Sequence, residues 1–213
     1  NMLAGKDLQA GGTWMGVNTD GFVASLTNIR APQKNSNEAI TRGQLVSHYL
    51  QNPAHDYQQT LRSNKHAYNG YNLLFGKWDE LAVYNNHLDQ IQYLNDGFYG
   101  LSNASLNSPW PKVNKGVKKL QEYCQNDHNI QSEMLFTLLL DKHLAADHDL
   151  PQTGIPLEWE RRLSSIFIQG EEYGTRSSTI LKVDKDQNVH WQERTYNNNA
   201  KCVAKQNFQF SIN

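Results

Sequence analysis

Segments that are typical of β-strands lie at both ends of the sequence, and segments that are typical of helices lie between them. Residues 13–17 and 22–28 are predicted strands, and the NTDG turn that joins them contains an Asp-Gly pair that favours a tight hairpin. Further strands are predicted at residues 71–76, 81–85, 90–94, 99–101, 164–169, 178–183, 189–195 and 204–212. Because strands come first and last, this order predicts an α+β fold rather than a parallel sheet with alternating helices.

Helical spacing of apolar residues predicts five helices in the remaining sequence. They cover residues 42–51, 55–63, 112–125, 133–147 and 157–162. Thr41 and Ser132 stand directly before two of these helices, where a hydroxyl side chain can cap free backbone N–H groups. Since each antiparallel sheet must bury one face, we expect two sheets packed on each other with helices outside, in a single domain that spans residues 1–213.

The charge balance of the sequence excludes some classes of partner. Among its 213 residues the chain has 20 basic and 21 acidic side chains, so no global field would attract it to nucleic acid. No apolar run approaches the roughly 20 residues of a membrane-spanning helix, and no integral membrane association is expected. The two cysteines, Cys124 and Cys202, lack the spacing of a metal or redox motif. We therefore expect free thiols and a cytoplasmic location.

The histidines do not form a recognisable metal motif. His143 and His148 are five positions apart, which places them about 140° apart on a helix and is poor geometry for sharing a metal ion. His48 and His128 are single candidates for a haem ligand, although a lone histidine is more often a surface residue. The sequence therefore predicts no metal site and no certain cofactor.

Three polar residues stand at strand ends, where a hydrophobic core would favour apolar side chains. Asn28 ends the segment LTN, Asn103 lies in YGLSNA, and Arg176 precedes a regular strand in YGTRSSTILKV. Amide and guanidinium groups in such positions can donate hydrogen bonds to a carbonyl oxygen or a developing oxyanion. The alternative is structural: the asparagines cap loops through their own backbone, and Arg176 forms an ion pair.

Six separated motifs occur in the order that they take in the NRDE family, the transport and Golgi organisation protein 2 family. They are GGTWMGV, LTN, RGQLV, YNGYNLL, YGLSNA with SPWPKV three residues later, and YGTRSSTILKVD. The resemblance covers the sequence from residue 3 onward. The family is in turn similar to N-terminal nucleophile hydrolases, which implies a four-layer αββα sandwich.

The resemblance also implies a segment that the sequence does not contain. Family members begin with Met-Cys and carry an Asn-Arg-Asp-Glu signature a few dozen residues before the position of GGTW, and both are absent here. In cysteine members of the hydrolase superfamily, the thiol of the first residue is the nucleophile and its own α-amino group is the base. We therefore expect a domain that lacks its first strands, with the strand at 13–17 at an exposed, exchanged or disordered sheet edge.

Three site residues follow from the resemblance. Asn28 resembles the oxyanion-hole asparagine, Asn103 a second asparagine that faces the substrate, and Arg176 the arginine of the site. Trp14, Tyr68 and Tyr71 are expected either to line a pocket between the two sheets that ends at Arg176 or to pack in the core.

The resemblance is compatible with two main functions. The first is an intracellular carrier of an apolar, acidic small molecule, with haem trafficking and acyl-CoA or lipid handling as the implied roles and haem as a transported ligand. The alternative is an amidohydrolase or acyltransferase with an N-terminal cysteine nucleophile that acts on a C–N amide bond. A scaffold role in Golgi organisation ranks last, because the sequence offers no coiled coil for it.

Overall fold

The computed structural model describes residues 1–127 and 129–213 and divides them into two compact units. The first unit consists of Asn1–Gly97, Leu101–Ser108 and Ile212–Asn213, and the second of Phe98–Gly100 and Pro109–Ser211. The described residues form two antiparallel sheets and five α-helices. The prediction of a mixed fold with antiparallel sheets is therefore confirmed.

The first unit contains a six-stranded antiparallel sheet whose strands follow the order of the sequence. Its strands are β1 (Met2–Ala4), β2 (Met15–Asn18), β3 (Phe22–Asn28), β4 (Tyr71–Lys77), β5 (Glu80–Asn85) and β6 (Gln90–Tyr93). Two helices, α1 (Gly43–Gln51) and α2 (Tyr57–Ser63), lie between β3 and β4 in the sequence. The predicted hairpins and the predicted helices of this region are thus confirmed.

The turn between β2 and β3 is held by one asparagine. The Asn18 side-chain oxygen accepts hydrogen bonds from the N–H groups of Asp20 at 3.0 Å and Phe22 at 2.9 Å. Gly21 has a φ of +81°, a conformation that glycine adopts without steric cost. The Asn18 amide donates to the carbonyl of Leu50 at 3.1 Å, so the same side chain ties the hairpin to the end of α1.

The core of the first unit lies between one face of the sheet and the two helices. The buried residues that form it are Ala24, Leu26, Leu45, Val46, Tyr49, Leu50, Tyr57, Leu61, Tyr71, Leu73, Phe75, Ala82 and Tyr84. The rings of Tyr49 and Phe75 meet edge to face, with 5.5 Å between their centroids. Such pairs add about 0.5–1.5 kcal/mol to the burial of their area.

Alkaline titration of the folded protein should leave the core tyrosines neutral. Burial raises the pKa of Tyr49 to about 12 and raises the pKa of Tyr57, Tyr71 and Tyr84 as well. Because the folded pKa values are raised, the stability that these groups contribute is complete below the ordinary tyrosine pKa of about 10. It is lost as the pH rises through the folded values.

Phenolate absorbance of a Tyr71→Phe variant tests this expectation. In the folded state at about pH 11 the variant should match the wild type, because the Tyr71 hydroxyl is still protonated. In urea it should give one-tenth less signal, since the chain has ten tyrosines. A one-tenth deficit that is already present in the folded state would contradict the prediction.

The second unit contains a three-stranded antiparallel sheet and three helices. These are α3 (Pro111–Asn126), α4 (Ser132–Leu139), α5 (Leu157–Arg162), β7 (Ser177–Val183), β8 (Asn188–Tyr196) and β9 (Cys202–Ser211), with β8 in the middle of the sheet. The Arg194 guanidinium of β8 lies 3.9 Å from the ring centroid of Phe136 in α4 and forms an ion pair with Glu133. This contact docks α4 on the sheet. Cys124 and Cys202 are free, as predicted.

Helix α4 ends at Leu139, so the prediction that it extends to residue 147 is wrong. The Asp141 carboxylate accepts hydrogen bonds from Lys115 and Lys119 of α3, at 2.8 and 2.7 Å. It also accepts the backbone N–H of His143 at 2.9 Å, which fixes a non-helical turn directly after the helix. Distant lysines therefore stop a helix that local periodicity would continue.

Two predicted strands are absent from the described residues. Residues 164–169 are irregular, because the Ser165 hydroxyl donates to the carbonyl of Phe167 and the Ile168 N–H donates to the Thr175 hydroxyl. Residues 99–101 are irregular as well. The two predicted hydroxyl caps are also wrong: Arg42 and Gln131 occupy the N-cap positions, and neither makes a side-chain cap hydrogen bond.

The strand β1 corrects the expectation about the sheet edge. It pairs with β2 through Met2 opposite Asn18 and Ala4 opposite Gly16, so β2 is an inner strand. A three-residue strand without a clear alternation gives too weak a pattern to be predicted from sequence. No helix in the described part of the chain has the length and apolar character to cross a membrane.

Candidate functional site

Asn28 and Asn103 lie together in the first unit. The Asn103 side-chain amide donates to the backbone carbonyl of Asn28 at 2.9 Å, and the N–H of Arg30 donates to the Asn103 carbonyl at 2.8 Å. The asparagine therefore fastens its loop to the end of β3. This contact is structural, but it joins Asn103 to a distant strand and not to its own backbone as the structural alternative expected, and it holds the Asn28 backbone in a fixed position.

The side-chain oxygen of Asn28 has no hydrogen-bond donor among the described residues, although the atom is buried. Tyr71 lies directly opposite Asn28 in the register of β3 and β4, and its buried hydroxyl also has no described partner. Cross-strand partners share a face of the sheet, so both polar groups lie on the helix-covered side. An unsatisfied buried polar group costs about 1–3 kcal/mol, so both groups lower the stability of the fold unless a further partner reaches them.

Tyr71 belongs to a cluster of aromatic rings. Its ring centroid lies 5.8 Å from that of Tyr68 and 5.9 Å from that of Tyr84. The Tyr84 hydroxyl donates to Asp89 at 3.0 Å, and the same carboxylate is paired with Lys65 at 2.6 Å. Tyr71 is therefore a core residue with Tyr68 packed against it, and the buried Tyr71 hydroxyl is left without a described partner.

A buried asparagine network, which sequence reasoning missed, supports the loop that carries Asn103. The Asn72 amide donates to the Ala104 carbonyl at 2.7 Å and to the Thr27 hydroxyl at 3.1 Å. Its side-chain oxygen accepts the amide of Asn85 at 2.8 Å. The only sequence signal is that asparagines occupy strand positions in YNLLF and VYNN, where apolar residues are the rule.

The motifs GGTWMGV and RGQLV meet through their glycines. The Thr13 N–H donates to the carbonyl of Gly43 at 3.1 Å, and a Cβ atom on Gly12 would lie 2.5 Å from the carbonyl carbon of Gly43. Arg42, the residue before Gly43, donates from Nη1 to the carbonyl of Gly70 at 3.1 Å. The two motifs thus place a guanidinium at Gly70, beside Tyr71, which the sequence reasoning did not identify as a site residue.

Trp14 has 53% of its surface exposed, so it does not pack in the core. Its backbone carbonyl accepts the N–H of Leu26 at 2.8 Å, which holds it beside β3. Exposure of a tryptophan is compatible with a contact surface for a ligand, and that role remains a prediction.

Arg176 lies in the second unit and is exposed. It donates from Nη1 to the side-chain oxygen of Asn198 at 2.6 Å rather than to a carboxylate. The cleft that it lines has a volume of about 30 Å³, which holds a few water molecules and is far smaller than a typical small-molecule pocket of about 300–1,000 Å³. Within its own unit, Arg176 has room only for a small group, and its role in ligand binding remains a prediction.

A larger cavity of about 280 Å³ lies in the second unit beside the first turns of α3. Its lining residues are Pro111, Lys112, Lys115, Asp141, His143, Ala145, Ala146, Asp149, Ser164 and Ile166. Burial acts to raise the pKa of Asp141, but hydrogen bonds from Lys115 and Lys119 outweigh it and hold that pKa well below its usual range. Of the two lysines that line the cavity, Lys115 is therefore already matched by a carboxylate of the protein.

The histidines are not grouped with other metal ligands. No cluster of three or more His, Cys, Asp or Glu side chains with metal-binding geometry occurs in residues 1–127 and 129–213. His48 is exposed on α1, and His143 and His148 lie outside α-helices, so the helical spacing assumed for that pair does not apply. His128 lies outside the described residues.

The fold and these contacts define a mixed α/β protein in which motifs of the first unit place an asparagine and a tyrosine with buried polar atoms opposite each other. Residues 1–198 match the family model described as Transport and Golgi organisation 2, and the chain belongs to this family. The resemblance inferred from the six motifs is thereby confirmed.

Named relatives agree with this assignment. The Transport and Golgi organization protein 2 homolog of Homo sapiens is 31% identical over 226 residues, which cover 92% of this chain and 82% of the human protein. The Mus musculus homolog is 31% identical over 212 residues, with 91% and 76% covered. The Drosophila melanogaster protein is 26% identical over 219 residues, with 92% and 77% covered.

Proposed function

We propose that this chain is an intracellular, cytoplasmic small-molecule carrier that holds an apolar, acidic ligand such as haem or an acyl-CoA. The observation that carries the proposal is the unsatisfied pair formed by the Asn28 side-chain oxygen and the Tyr71 hydroxyl. Both polar atoms are buried, and Tyr71 is a member of the aromatic and aliphatic core. A ligand pocket likewise combines an apolar lining with a few fixed polar groups.

The proposed ligand contacts are Trp14, Asn28, Tyr68, Tyr71 and Asn103, with Arg176 as a further contact from the second unit. The clamp between Asn103 and the Asn28 backbone supports the proposal, because a fixed polar group binds with a smaller loss of conformational entropy. Exposure of Trp14 leaves its indole accessible to an apolar body.

The finer description of the fold is part of the same proposal. We propose a single family domain of the αββα type, similar to N-terminal nucleophile hydrolases. Each unit supplies a sheet that has helices on one face, which is what such an architecture requires of its parts.

A Tyr71→Phe variant tests the carrier proposal through two opposite effects. Removal of an unsatisfied buried hydroxyl should raise the free energy of unfolding of the ligand-free protein by about 1 kcal/mol. Loss of a ligand hydrogen bond should weaken binding of haemin or palmitoyl-CoA about threefold to tenfold. Urea titration measures the first effect, and haem absorbance titration and calorimetry measure the second.

Tyr93→Phe is the matched control, because Tyr93 is 66% exposed on β6. It should change neither the stability nor the affinity for either ligand. A wild-type protein that binds neither haemin nor palmitoyl-CoA would refute the proposal. A Tyr71→Phe variant that binds both as tightly as the wild type would remove Tyr71 from the site.

A further inference from the structure

Arg42 is a half-buried cation without a counterion. Its guanidinium donates one hydrogen bond, to the Gly70 carbonyl at 3.1 Å, although the group carries five N–H donors. No carboxylate oxygen of residues 1–127 or 129–213 lies within 4.0 Å of it. Burial lowers the pKa of Arg42, and no acidic neighbour contributes an opposing effect. A cation removed from water without an anion is unfavourable unless a partner supplies the missing charge.

The Arg42 guanidinium binds the chain directly before β4, next to the register partners Asn28 and Tyr71. The Gly70 carbonyl that accepts its guanidinium also accepts the N–H of Ile29 at 2.9 Å. Ile29 follows Asn28 in the sequence and Gly70 precedes Tyr71, and Asn28 and Tyr71 are register partners. The Gly70 carbonyl therefore links the cation to the backbone segments that carry Asn28 and Tyr71.

Lys34 supplies positive charge near this junction, whereas the histidine beside it is held neutral. A Cβ atom on Gly70 would lie 2.5 Å from Nε2 of His87, so the imidazole packs against the same glycine. Burial lowers the pKa of His87, and the positive charge of Lys34 lowers it further. Asp89 acts on Tyr71 electrostatically, but it is already paired with Lys65 at 2.6 Å.

We infer that Arg42 binds the anionic oxygen group, a carboxylate or a phosphate, of the ligand that is held at Asn28 and Tyr71. This inference rests on the proposed carrier function and names the residue that recognises the acidic part of the ligand. A guanidinium forms paired, charge-assisted hydrogen bonds with both kinds of oxyanion. The contact between Gly12 and Gly43 fixes the start of α1 and with it the position of the Arg42 backbone.

The test compares each acidic ligand with an analogue that lacks its anionic groups. Haemin is paired with haemin dimethyl ester, which has no free carboxylate, and palmitoyl-CoA is paired with S-palmitoylpantetheine, which has no phosphate. An Arg42→Gln variant should bind the anionic member of the relevant pair about 10-fold to 100-fold more weakly and its neutral member within about threefold of the wild type. The pair that shows the difference identifies the oxyanion as carboxylate or phosphate.

Two further variants separate charge recognition from folding. Arg42→Lys keeps the charge and should restore part of the affinity for the anionic ligand. Arg62→Gln removes a positive charge from α2, where the side chain is 52% exposed, and should leave binding within about twofold of the wild type. Urea unfolding of each variant checks that the first unit is folded.

Each outcome decides a different point. Equal losses for the anionic and neutral ligands in Arg42→Gln would assign Arg42 a structural role and overturn the inference. Unchanged binding of the anionic ligand by Arg42→Gln would also overturn it, while leaving the carrier proposal in place. A wild-type protein that binds none of the four ligands would refute the carrier proposal and the inference together.

Discussion

Replacement of Gly12 by alanine should lower the free energy of unfolding by about 3 kcal/mol. The new Cβ atom would lie 2.5 Å from the carbonyl carbon of Gly43 and 2.8 Å from its Cα and carbonyl oxygen. All three are backbone atoms, so no side-chain rotation can relieve the overlap. The start of α1 would have to move away from the strand, and the hydrogen bond from Thr13 to Gly43 would be strained or lost.

Gly5→Ala is the matched control for this substitution. A Cβ atom on Gly5 meets no heavy atom within 4 Å, so the variant should unfold within about 0.5 kcal/mol of the wild type. Urea denaturation followed by circular dichroism measures both variants. Because Arg42 adjoins Gly43, we also expect Gly12→Ala to weaken ligand binding, whereas Gly5→Ala should not. Equal midpoints for the two variants would show that the contact can relax.

Replacement of Asn72 by leucine should also lower the free energy of unfolding by about 3 kcal/mol. The cause here is the loss of hydrogen-bond partners for buried polar groups, and not a steric overlap. Asn72 is fully buried, and its side chain joins Thr27, Asn85 and Ala104. Leucine has the same branched shape and the same number of side-chain heavy atoms, so it leaves no cavity. It does leave the Asn85 amide and the Ala104 carbonyl without this partner, at about 1–3 kcal/mol for each unsatisfied group.

The effect of Asn72→Leu should extend to the loop of residues 101–108. Hydrogen exchange of this loop should become faster, because the bond from Asn72 to the Ala104 carbonyl is one of its links to the sheet. Asn37→Leu is the control, since Asn37 is exposed. Unchanged exchange in the loop would show that the Asn103 clamp alone is sufficient to hold it.

Local sequence patterns predicted the elements that depend on local interactions. The hairpin of β2 and β3 followed from an Asp-Gly turn, and in the structure Gly21 has the positive φ that this turn requires. Helix α3 followed from Pro111 at its start and from apolar spacing. In contrast, the end of α4 depends on lysines about twenty residues earlier, and periodicity carries no information about them.

The candidate site was predictable in its residue types and not in its interactions. Asn28 and Asn103 were identified as polar residues at strand ends. Only the structure shows that the Asn103 amide donates a hydrogen bond to the Asn28 backbone. Arg42 looked like an ordinary helix start in the motif RGQLV. In the described structure its guanidinium has no counterion. The sequence alone does not show which charged groups surround a side chain in the fold.

The positions of the two cysteines have a practical consequence. Both lie in the second unit, Cys202 exposed on β9 and Cys124 half-buried on α3. A thiol-reactive dye should therefore label Cys202 rapidly and Cys124 at a rate set by how often α3 opens. The first unit contains no cysteine, so the dye does not label it. Labelling kinetics of the unmodified protein can thus follow the opening of one unit on its own, and ligand-induced changes in that rate would report on communication from the other.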